Sequence, residues 1–522
     1  MSSITTNDWD GVFAITYAKM NDAMALNKQL PKSMTFSDRG GQCSLTLGKW
    51  QLAFGGGDQN IGMSLEVTGG TYTDANGAVT NVSPAVATFT LNASFVPQPG
   101  NQGVELVAGS GAISFGDLLP AQANFSAYVV LKQLMADWLR ANMSLFNLVF
   151  ISIDLSVQLP KSLPWLKPAI QNYAVAEPST GKTLDNCVFA VLTMFTPVPQ
   201  PGQPPPPAPV APAGQQVDLR AIPTGANGAV LISADQFINH FILHAAPEMF
   251  DGISQDPPSQ HFGPITNGIT NITPLTVTVK LKQGNVETCS VPAGEWSISV
   301  QGPNLVIAVK TLTFNYWPYL AGGFDVTVDF TTNCTMSYDA QNDLLDLLPL
   351  GESKATAMVN QSTALQIVGI ALDVIAIAGA IVGGVSAGLS KVTTKAIQGA
   401  ANAAVGAAAN VANVTVQNAR VAVVASSAIL FSRTVPELDQ LAARLTAVAR
   451  VGAMTAVVAG VPGVVILVCG FVANQQLNKS APKFDELIDV AMNKVVKWPA
   501  GVGVFKTVSA QLNDSLQIGM KA

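Results

Sequence analysis

The stretch Cys43-Ser-Leu-Thr-Leu-Gly-Lys-Trp50 recurs in the second half of the chain as Cys289-Ser-Val-Pro-Ala-Gly-Glu-Trp296, with Cys, Ser, Gly and Trp identically spaced. The chain has only 5 Cys and 7 Trp in 522 residues, so chance does not account for the match. Each copy leads into alternating apolar and polar residues, the pattern of antiparallel strands. The sequence therefore predicts a duplicated β-hairpin, one copy at Trp50 and one at Trp296.

Composition divides the rest of the chain around these two hairpins. The predicted parts are a first half with the Trp50 hairpin (1–196), a proline-rich loop (197–216), a second β-rich half with the Trp296 hairpin (217–350), an Ala/Gly/Val-rich helical segment (351–480), and a C-terminal helix and strand (481–522). The overall prediction is an elongated α+β protein, because strand-like and helix-like periods occur in separate blocks.

Helical periodicity is clearest between the β-rich blocks of the first half. Five apolar residues at positions i, i+3, i+4, i+7 and i+8 predict one amphipathic helix, namely Leu131, Leu134, Met135, Trp138 and Leu139. Residues 9–27 predict a strand followed by a short helix, and Ser233-x-x-Gln236 is a capping box that predicts a helix over 234–245.

Charge and cysteine content exclude several classes of protein. Hydrophobic residues make up 48% of the chain and charged residues 11%, against about 25% charged in an ordinary domain. The net charge is −6 and Lys/Arg runs are absent, which argues against nucleic-acid binding. The five cysteines are scattered without a Cys-x-x-Cys motif, which argues against a disulfide framework or a zinc site.

The first residues carry no basic stretch followed by an apolar run, so a signal peptide is not predicted. We therefore expect synthesis in the cytoplasm and, if the protein acts outside the cell, release by a non-classical route.

Catalytic motifs do not emerge from the sequence. His240 and His244 have the i, i+4 spacing of a metal-binding pair, and Glu248 follows four residues later. Pro247 interrupts the helix there, and the Glu of a His-Glu-x-x-His motif is missing. We therefore predict a protein that is not an enzyme, without cofactor or metal.

Two apolar segments, 364–389 and 451–477, reach the length that can span a bilayer. Asp373 in the first and Pro462 in the second favour helices packed on a soluble fold, while conditional membrane insertion and the lining of a lipid cavity stay open. The candidate lipid or membrane contacts are Ile375, Ile377, Ile381, Val464, Val465, Ile466, Leu467 and Phe471.

Residues 197–212 are dominated by proline and predict an extended polyproline-like loop. The favoured interpretation is a solvated spacer. The alternative is a docking motif for a domain with an aromatic groove.

Several short blocks occur in an order that resembles one family. They are Trp9-Asp10 through Ile15 with Asn21, Phe146–Phe150, Trp165–Pro168 with Tyr173, Phe189–Leu192, Gly228–Phe237, Trp498-Pro499 and Leu512–Leu516. The chain resembles the TULIP-like family encoded beside botulinum neurotoxins, namely the forty-seven-kilodalton companion protein and the OrfX proteins. We take Trp9, Asp10, Trp50, Trp165, Trp296 and Trp498 as fold-motif residues.

The resemblance implies a tubular lipid-binding fold in which twisted antiparallel sheets wrap long helices around an apolar groove. The expected function is a non-enzymatic lipid- or membrane-binding accessory protein of a toxin-type gene cluster, holding a lipid or fatty acid. Two alternatives stay open. One is a structural partner of neighbouring gene products, and the other is a conditional pore former with insecticidal action.

Overall fold

A computed structural model of the chain describes residues 3–27, 30–38, 40–82, 84–109, 113–119, 125–142, 149–198, 207–250, 253, 258–280, 286–316, 324–339, 344–349, 352–359, 416–417, 420–426 and 483–522. The chain divides into two compact units. The first unit comprises Ile4–Ser233, Phe484–Ala510 and Gln517–Ala522, and the second comprises Met1–Ser3, Ala234–Lys483 and Gln511–Leu516. The second unit is thus mainly an insertion between Ser233 and Phe484.

Strands dominate the described residues. Up to residue 233 they are β1 Gly11–Thr16, β2 Ser33–Asp38, β3 Gly41–Leu52, β4 Asn60–Thr73, β5 Val79–Asn81, β6 Ala85–Pro97, β7 Gly103–Ala108, β8 Ser114–Leu119, β9 Val149–Asp154, β10 Pro168–Ala176, β11 Val188–Phe195 and β12 Gly228–Ser233. Beyond it they are β13 Phe262–Ile265, β14 Gly268–Asn271, β15 Leu275–Lys280, β16 Val286–Val291, β17 Trp296–Gln301, β18 Asn304–Tyr316, β19 Phe324–Asp339, β20 Leu344–Pro349, β21 Glu352–Val359, β22 Val416–Gln417, β23 Arg420–Ser426, β24 Val496–Lys497, β25 Lys506–Leu512 and β26 Ser515–Lys521.

Helices are few among the described residues. Helix α1 spans Tyr17–Leu26, and α2 spans Phe125–Asn142, the longest described helix at 18 residues. A third helical segment runs through Ala234–Phe237, a π turn at Ile238–Ile242 and Leu243–Ala245. The fourth consists of Phe484–Ile488 followed by a π turn at Asp489–Val495.

A six-stranded sheet has the order β10-β11-β1-β12-β26-β25. All six residues of β1 are buried, so both faces of the sheet are covered, which explains its continuous apolar sequence. Four alanines lie directly opposite one another on adjacent strands, namely Ala174, Ala190, Ala14 and Ala229. These small side chains form one cluster with the buried indole of Trp9.

A nine-stranded sheet has the order β2-β3-β4-β6-β7-β9-β24, with β5 beside β4 and β8 beside β6. Its strands alternate buried and exposed residues, as a sheet with one covered face requires. The register shifts between β3 and β4, at Thr46/Leu47 and Leu47/Trp50, and β-bulges of this kind increase strand twist.

An eleven-stranded sheet forms the second unit's framework, with the order β13-β14-β17-β18-β19-β21-β23-β22. Strands β15 and β16 pair with each other, β16 also pairs with β18, and β20 pairs with β19. Trp296 begins β17 and lies opposite Val309 of β18.

Both predicted hairpins are present as antiparallel pairs, β3–β4 and β17–β18. The copies differ in one respect. Cys43 and Trp50 lie in one bulged strand, whereas Cys289 and Trp296 lie in separate strands, β16 and β17. Pro292, which has no N–H to donate to a ladder, lies between β16 and β17 and accounts for the break.

The local predictions for residues 9–27, 131–139 and 234–245 are confirmed. Two others are wrong. The single strand predicted at the C-terminal end of 481–522 is instead two strands, β25 and β26, because the chain turns at Asn513-Asp514, where Asp514 has φ +59°. In the segment 351–480 predicted as helical, the described residues form strands β21, β22 and β23, and the rest of the segment lies outside the described residues. Three β-branched residues of β23, Val421, Val423 and Val424, favour a strand that pairs with β21.

Candidate functional site

The inner face of the nine-stranded sheet is apolar. Strand pairing places its side chains in rows across β2, β3, β4, β6 and β8, for example Trp50 opposite Leu65, which lies opposite Ala87, which lies opposite Leu118. These four side chains are at most 4% exposed. Met34, Leu45, Met63 and Phe89 continue the face and are equally buried.

Helix α2 covers this inner face. It contacts β2, β3 and β8 and turns its predicted apolar stripe inward, with Leu134 and Met135 at most 1% exposed. Val129, on the other side of the helix, is 49% exposed. The arrangement is a helix lying on an apolar sheet surface, with the side chains between them excluded from water.

Two polar side chains lie opposite each other on β3 and β4, namely Cys43 and Tyr72. Burial raises the pKa of the Cys43 thiol to about 11. Burial also raises the pKa of the Tyr72 hydroxyl. Both groups are therefore neutral near pH 7, and neither is activated as a nucleophile.

The bend between β3 and β4 is fastened to β10. The buried carboxylate of Glu177 accepts hydrogen bonds from the backbone N–H groups of Gly55 at 2.9 Å and Gly56 at 2.8 Å. The N–H of Val175 donates to the carbonyl of Asp58 at 2.7 Å. Because a buried carboxylate needs such donors, the bend and the carboxylate stabilise each other.

Asn21, one of the residues that carry the family resemblance, fastens α1 to β3. Its Oδ1 accepts from the N–H of Leu52 at 2.7 Å, and its Nδ2 donates to the carbonyl of Leu52 at 3.1 Å. The side-chain amide thereby pairs with both backbone groups at the end of the strand and satisfies them away from water.

Trp9 and Asp10 join separate parts of the first unit. The Trp9 indole N–H donates to the carbonyl of Gly214 at 2.8 Å. The Asp10 carboxylate accepts from the N–H of Phe195 at 2.8 Å, and its backbone carbonyl accepts from the N–H of Ser233 at 2.9 Å. Asp10 therefore ties β1 to the ends of β11 and β12.

Trp165 and Trp498 belong to aromatic clusters between the strands. Trp165 packs edge-on against Phe195 with ring centroids 5.5 Å apart. Trp498 packs edge-on against Phe189 at 6.4 Å. Edge-to-face pairs of this kind add to the stability that burial alone provides.

The two tryptophans of the repeated motif are also packing residues. The Trp50 indole N–H donates to the carbonyl of Pro31 at 3.0 Å. Trp296 packs edge-on against Phe250 at 5.5 Å and Phe262 at 5.2 Å. Each indole therefore fixes its own hairpin to another segment of the protein, Trp50 to Pro31 and Trp296 to Phe250 and Phe262.

The eight predicted lipid or membrane contacts, Ile375, Ile377, Ile381, Val464, Val465, Ile466, Leu467 and Phe471, lie outside the described residues. The same holds for the segments 364–389 and 451–477 that contain them. Among the described residues, no helix has the length and apolar character needed to cross a membrane.

His240 and His244 lie on one side of the third helical segment, with ring centroids 6.4 Å apart. His240 is half-buried, and burial lowers its pKa to about 3. The exposed His244 has its Nδ1 at 3.2 Å from the carbonyl oxygen of Asn239. Within the part of the chain that the structure describes, no third His, Cys, Asp or Glu joins a metal-binding group.

Sequence reasoning missed Glu177 and Asn271. Asn271 is fully buried, its Oδ1 accepts from the N–H of Trp296 at 2.8 Å, and its Nδ2 donates to the carbonyl of Pro292 at 2.7 Å. A single Asn or Glu carries no local pattern, because its partners lie far away in the chain.

The architecture is that of two solved structures, both of clostridial P47 proteins. P47 from Clostridium botulinum A2 superposes with a TM-score of 0.58 at 12% identity, covering 100% of this chain and 99% of that one. P47 from Clostridium botulinum E1 gives 0.54 at 13% identity, covering 98% of each chain. At these identities the likeness establishes a shared, mostly antiparallel fold and nothing further.

The family model described as protein OrfX2/OrfX3/P47 matches residues 6–429, and the chain belongs to this OrfX-like family. OrfX3 of Clostridium botulinum (strain Kyoto / Type A2) is 22% identical over 281 residues, 47% of this chain and 55% of the relative. OrfX3 of Paraclostridium bifermentans is 22% identical over 288 residues, with the same coverage. The chain thus spans about half the length of the curated relatives it matches, and the resemblance inferred from the short blocks is confirmed.

Proposed function

We propose that this chain is a non-enzymatic lipid-binding accessory protein of a toxin-type gene cluster, and that an acyl chain binds between α2 and the inner face of the nine-stranded sheet. The observation that carries the proposal is the continuous apolar surface formed by alternate residues of five strands. Removing a lipid tail from water against such a surface contributes about 25 cal/mol per Å².

The tubular lipid-binding fold with long helices, inferred from the family resemblance, belongs to the same proposal. It is supported by family membership and by the twisted antiparallel sheets. Internal duplication of the hairpin unit is a further part of it. The duplication is supported by the matching burial of the two copies. In each copy the Cys side chain is fully buried, and the Trp side chain is at most 4% exposed.

The first test is native mass spectrometry of the freshly purified full-length protein, followed by solvent extraction and lipid identification. We expect a retained mass that matches a fatty acid or phospholipid. A lipid-free mass, together with failure to bind liposomes, would refute the proposal.

The second test locates the ligand with a fatty acid that carries a photoactivatable diazirine. We expect cross-linked peptides from β3, β4, β6 or α2. Cross-links confined to 364–389 or 451–477 would show that the fatty acid binds at the contacts predicted from sequence and not at the inner face. Cross-links elsewhere on the surface would contradict both locations.

Two neighbouring residues of β6 provide a matched pair of variants. Ala87 is fully buried on the inner face, and Val86 is 41% exposed on the outer face. Ala87→Phe should reduce the lipid retained per protein because the ring occupies ligand space, whereas Val86→Phe should retain the wild-type amount. Equal lipid content in two folded variants would exclude the inner face as the site.

A further inference from the structure

The described part of the proline-rich loop, residues 207–216, shows a burial pattern with a period of three. From Pro207 to Gln216 every third residue is half-buried, namely Pro209, Pro212 and Gln215, and the residues between them are exposed. The segment lies in neither a strand nor a helix. A polyproline II helix has three residues per turn, so this is the burial expected when one of its three faces rests on the protein.

The other two faces of this segment point to solvent. One carries Pro207 and Val210, and the other carries Ala208 and Ala211. Val210 is 80% exposed, more than any other large apolar side chain in the described residues. We call Pro207, Val210, Ala208 and Ala211 the exposed proline ridge.

The ridge is held at its C-terminal end by the first unit. The Trp9 indole donates to the carbonyl of Gly214 at 2.8 Å, and the side-chain amide of Asn7 donates to the carbonyl of Gln216 at 2.9 Å. Prolines fix φ near −65°, so the ridge has little conformational entropy to lose on binding. A flexible spacer would need neither the hydrogen bonds from Trp9 and Asn7 nor the fixed backbone angles of the prolines.

The chemistry of the ridge selects one kind of partner. A polyproline II helix has no internal hydrogen bonds, so its carbonyl groups are available to donors of a partner. The sequence 197–217 contains no charged residue, which disfavours a groove that relies on an acidic pocket. Small apolar faces with outward carbonyls fit a shallow, uncharged groove of Trp and Tyr rings, which supply both the surface and the donors.

We propose that the exposed proline ridge is a docking element for a protein domain with such an uncharged aromatic groove. The ridge presents Val210 and Pro207 to the rings, while Pro209 and Pro212 keep it seated on the first unit. This role is independent of lipid binding on the inner face.

The test uses the full-length protein and three purified ¹⁵N-labelled proline-binding domains, one each of the SH3, WW and EVH1 classes. We expect at least one domain to show saturable broadening of its groove indole and amide signals as unlabelled protein is added. Absence of saturable binding to all three classes would overturn the proposal.

Matched variants then test whether the ridge is the contact. Val210→Asp should weaken the binding about tenfold, because a carboxylate is costly to bury against aromatic rings. Val79→Asp places the same change at another exposed valine, 64% exposed, and should leave the affinity unchanged. Equal affinities for the two variants would refute the assignment.

Discussion

Replacement of Glu177 by Gln is expected to loosen the bend between β3 and β4 from β10. The carboxylate is 3% exposed and accepts from the N–H groups of Gly55 and Gly56 and from the Lys182 ammonium at 2.8 Å. Gln has nearly the same shape but only one acceptor oxygen, so its NH₂ group must face a donor. At least one backbone hydrogen bond, from the exposed N–H of Gly55 or the part-buried N–H of Gly56, is thereby lost.

The expected cost follows from these contacts. A hydrogen bond to a charged group contributes about 1.5–3 kcal/mol. We therefore expect Glu177→Gln to lower the local free energy of opening by about 1.5–3 kcal/mol. Lys182 is 33% exposed, so its ion pair contributes under about 1 kcal/mol.

The assay is native-state hydrogen exchange, because a chain of two units need not unfold in one step. The amides of Gly55 and Gly56 should exchange about 10- to 150-fold faster in the variant, the factor that about 1.5–3 kcal/mol implies. Lys182→Met should have a much smaller effect. Glu66→Gln is the control, since Glu66 accepts from the N–H of Lys49 at 3.2 Å in an exposed position.

Exchange at Gly55 and Gly56 that stays within about threefold of wild type would refute the reasoning, since threefold corresponds to under 1 kcal/mol. An equal acceleration in the Glu66→Gln control would likewise show that the effect does not come from the buried carboxylate.

Three further predictions concern other buried or paired groups. Asn271→Ala should destabilise the second unit by about 2–5 kcal/mol in urea unfolding, because the buried N–H of Trp296 loses its acceptor and the part-buried carbonyls of Thr273 and Pro292 lose their donor; a loss under 1 kcal/mol would contradict this. Cys43 should react with a thiol reagent at pH 8 far more slowly in the native protein than in urea, as peptide mapping would show, since burial raises its pKa to about 11. Hydrogen bonds from Lys497 and Ser156 lower the pKa of Asp154 from 3.8 to about 2, so this pair should stabilise the fold above pH 4 and lose its effect as the pH falls toward 2. Lys497→Met should remove this contribution to the pH dependence of the free energy of unfolding. The contribution is under about 1 kcal/mol because the Lys497 side chain is exposed. An unchanged acid-unfolding profile would contradict the prediction.

Much of the local structure could be predicted because it follows from the spacing of apolar residues along the sequence. The stripe from Leu131 to Leu139 specified both a helix and its buried face, and both are confirmed. The repeated Cys and Trp spacing located two antiparallel pairs correctly. Family membership was likewise readable from short blocks such as the one at Trp9, and the family model confirms it.

The candidate site was less predictable. Sequence reasoning assigned lipid contact to the two most apolar segments, whereas the apolar inner face proposed here comes from strands whose polar residues alternate with apolar ones. Alternation lowers the mean hydropathy of a strand, so a search for apolar runs passes over it. Only the pairing of β3, β4, β6 and β8 shows that their apolar residues share one face.

Sequence alone determined which residues of each element are apolar and to which family the chain belongs, because both can be read from short stretches of the chain. Tertiary structure decided that β1 lies between β11 and β12, and that Glu177 meets the Gly55 bend. It also decided that residues 420–426 pair as a strand. These outcomes depend on partners far away in the chain, and a local pattern carries no information about which distant group will satisfy a backbone N–H or a buried carboxylate.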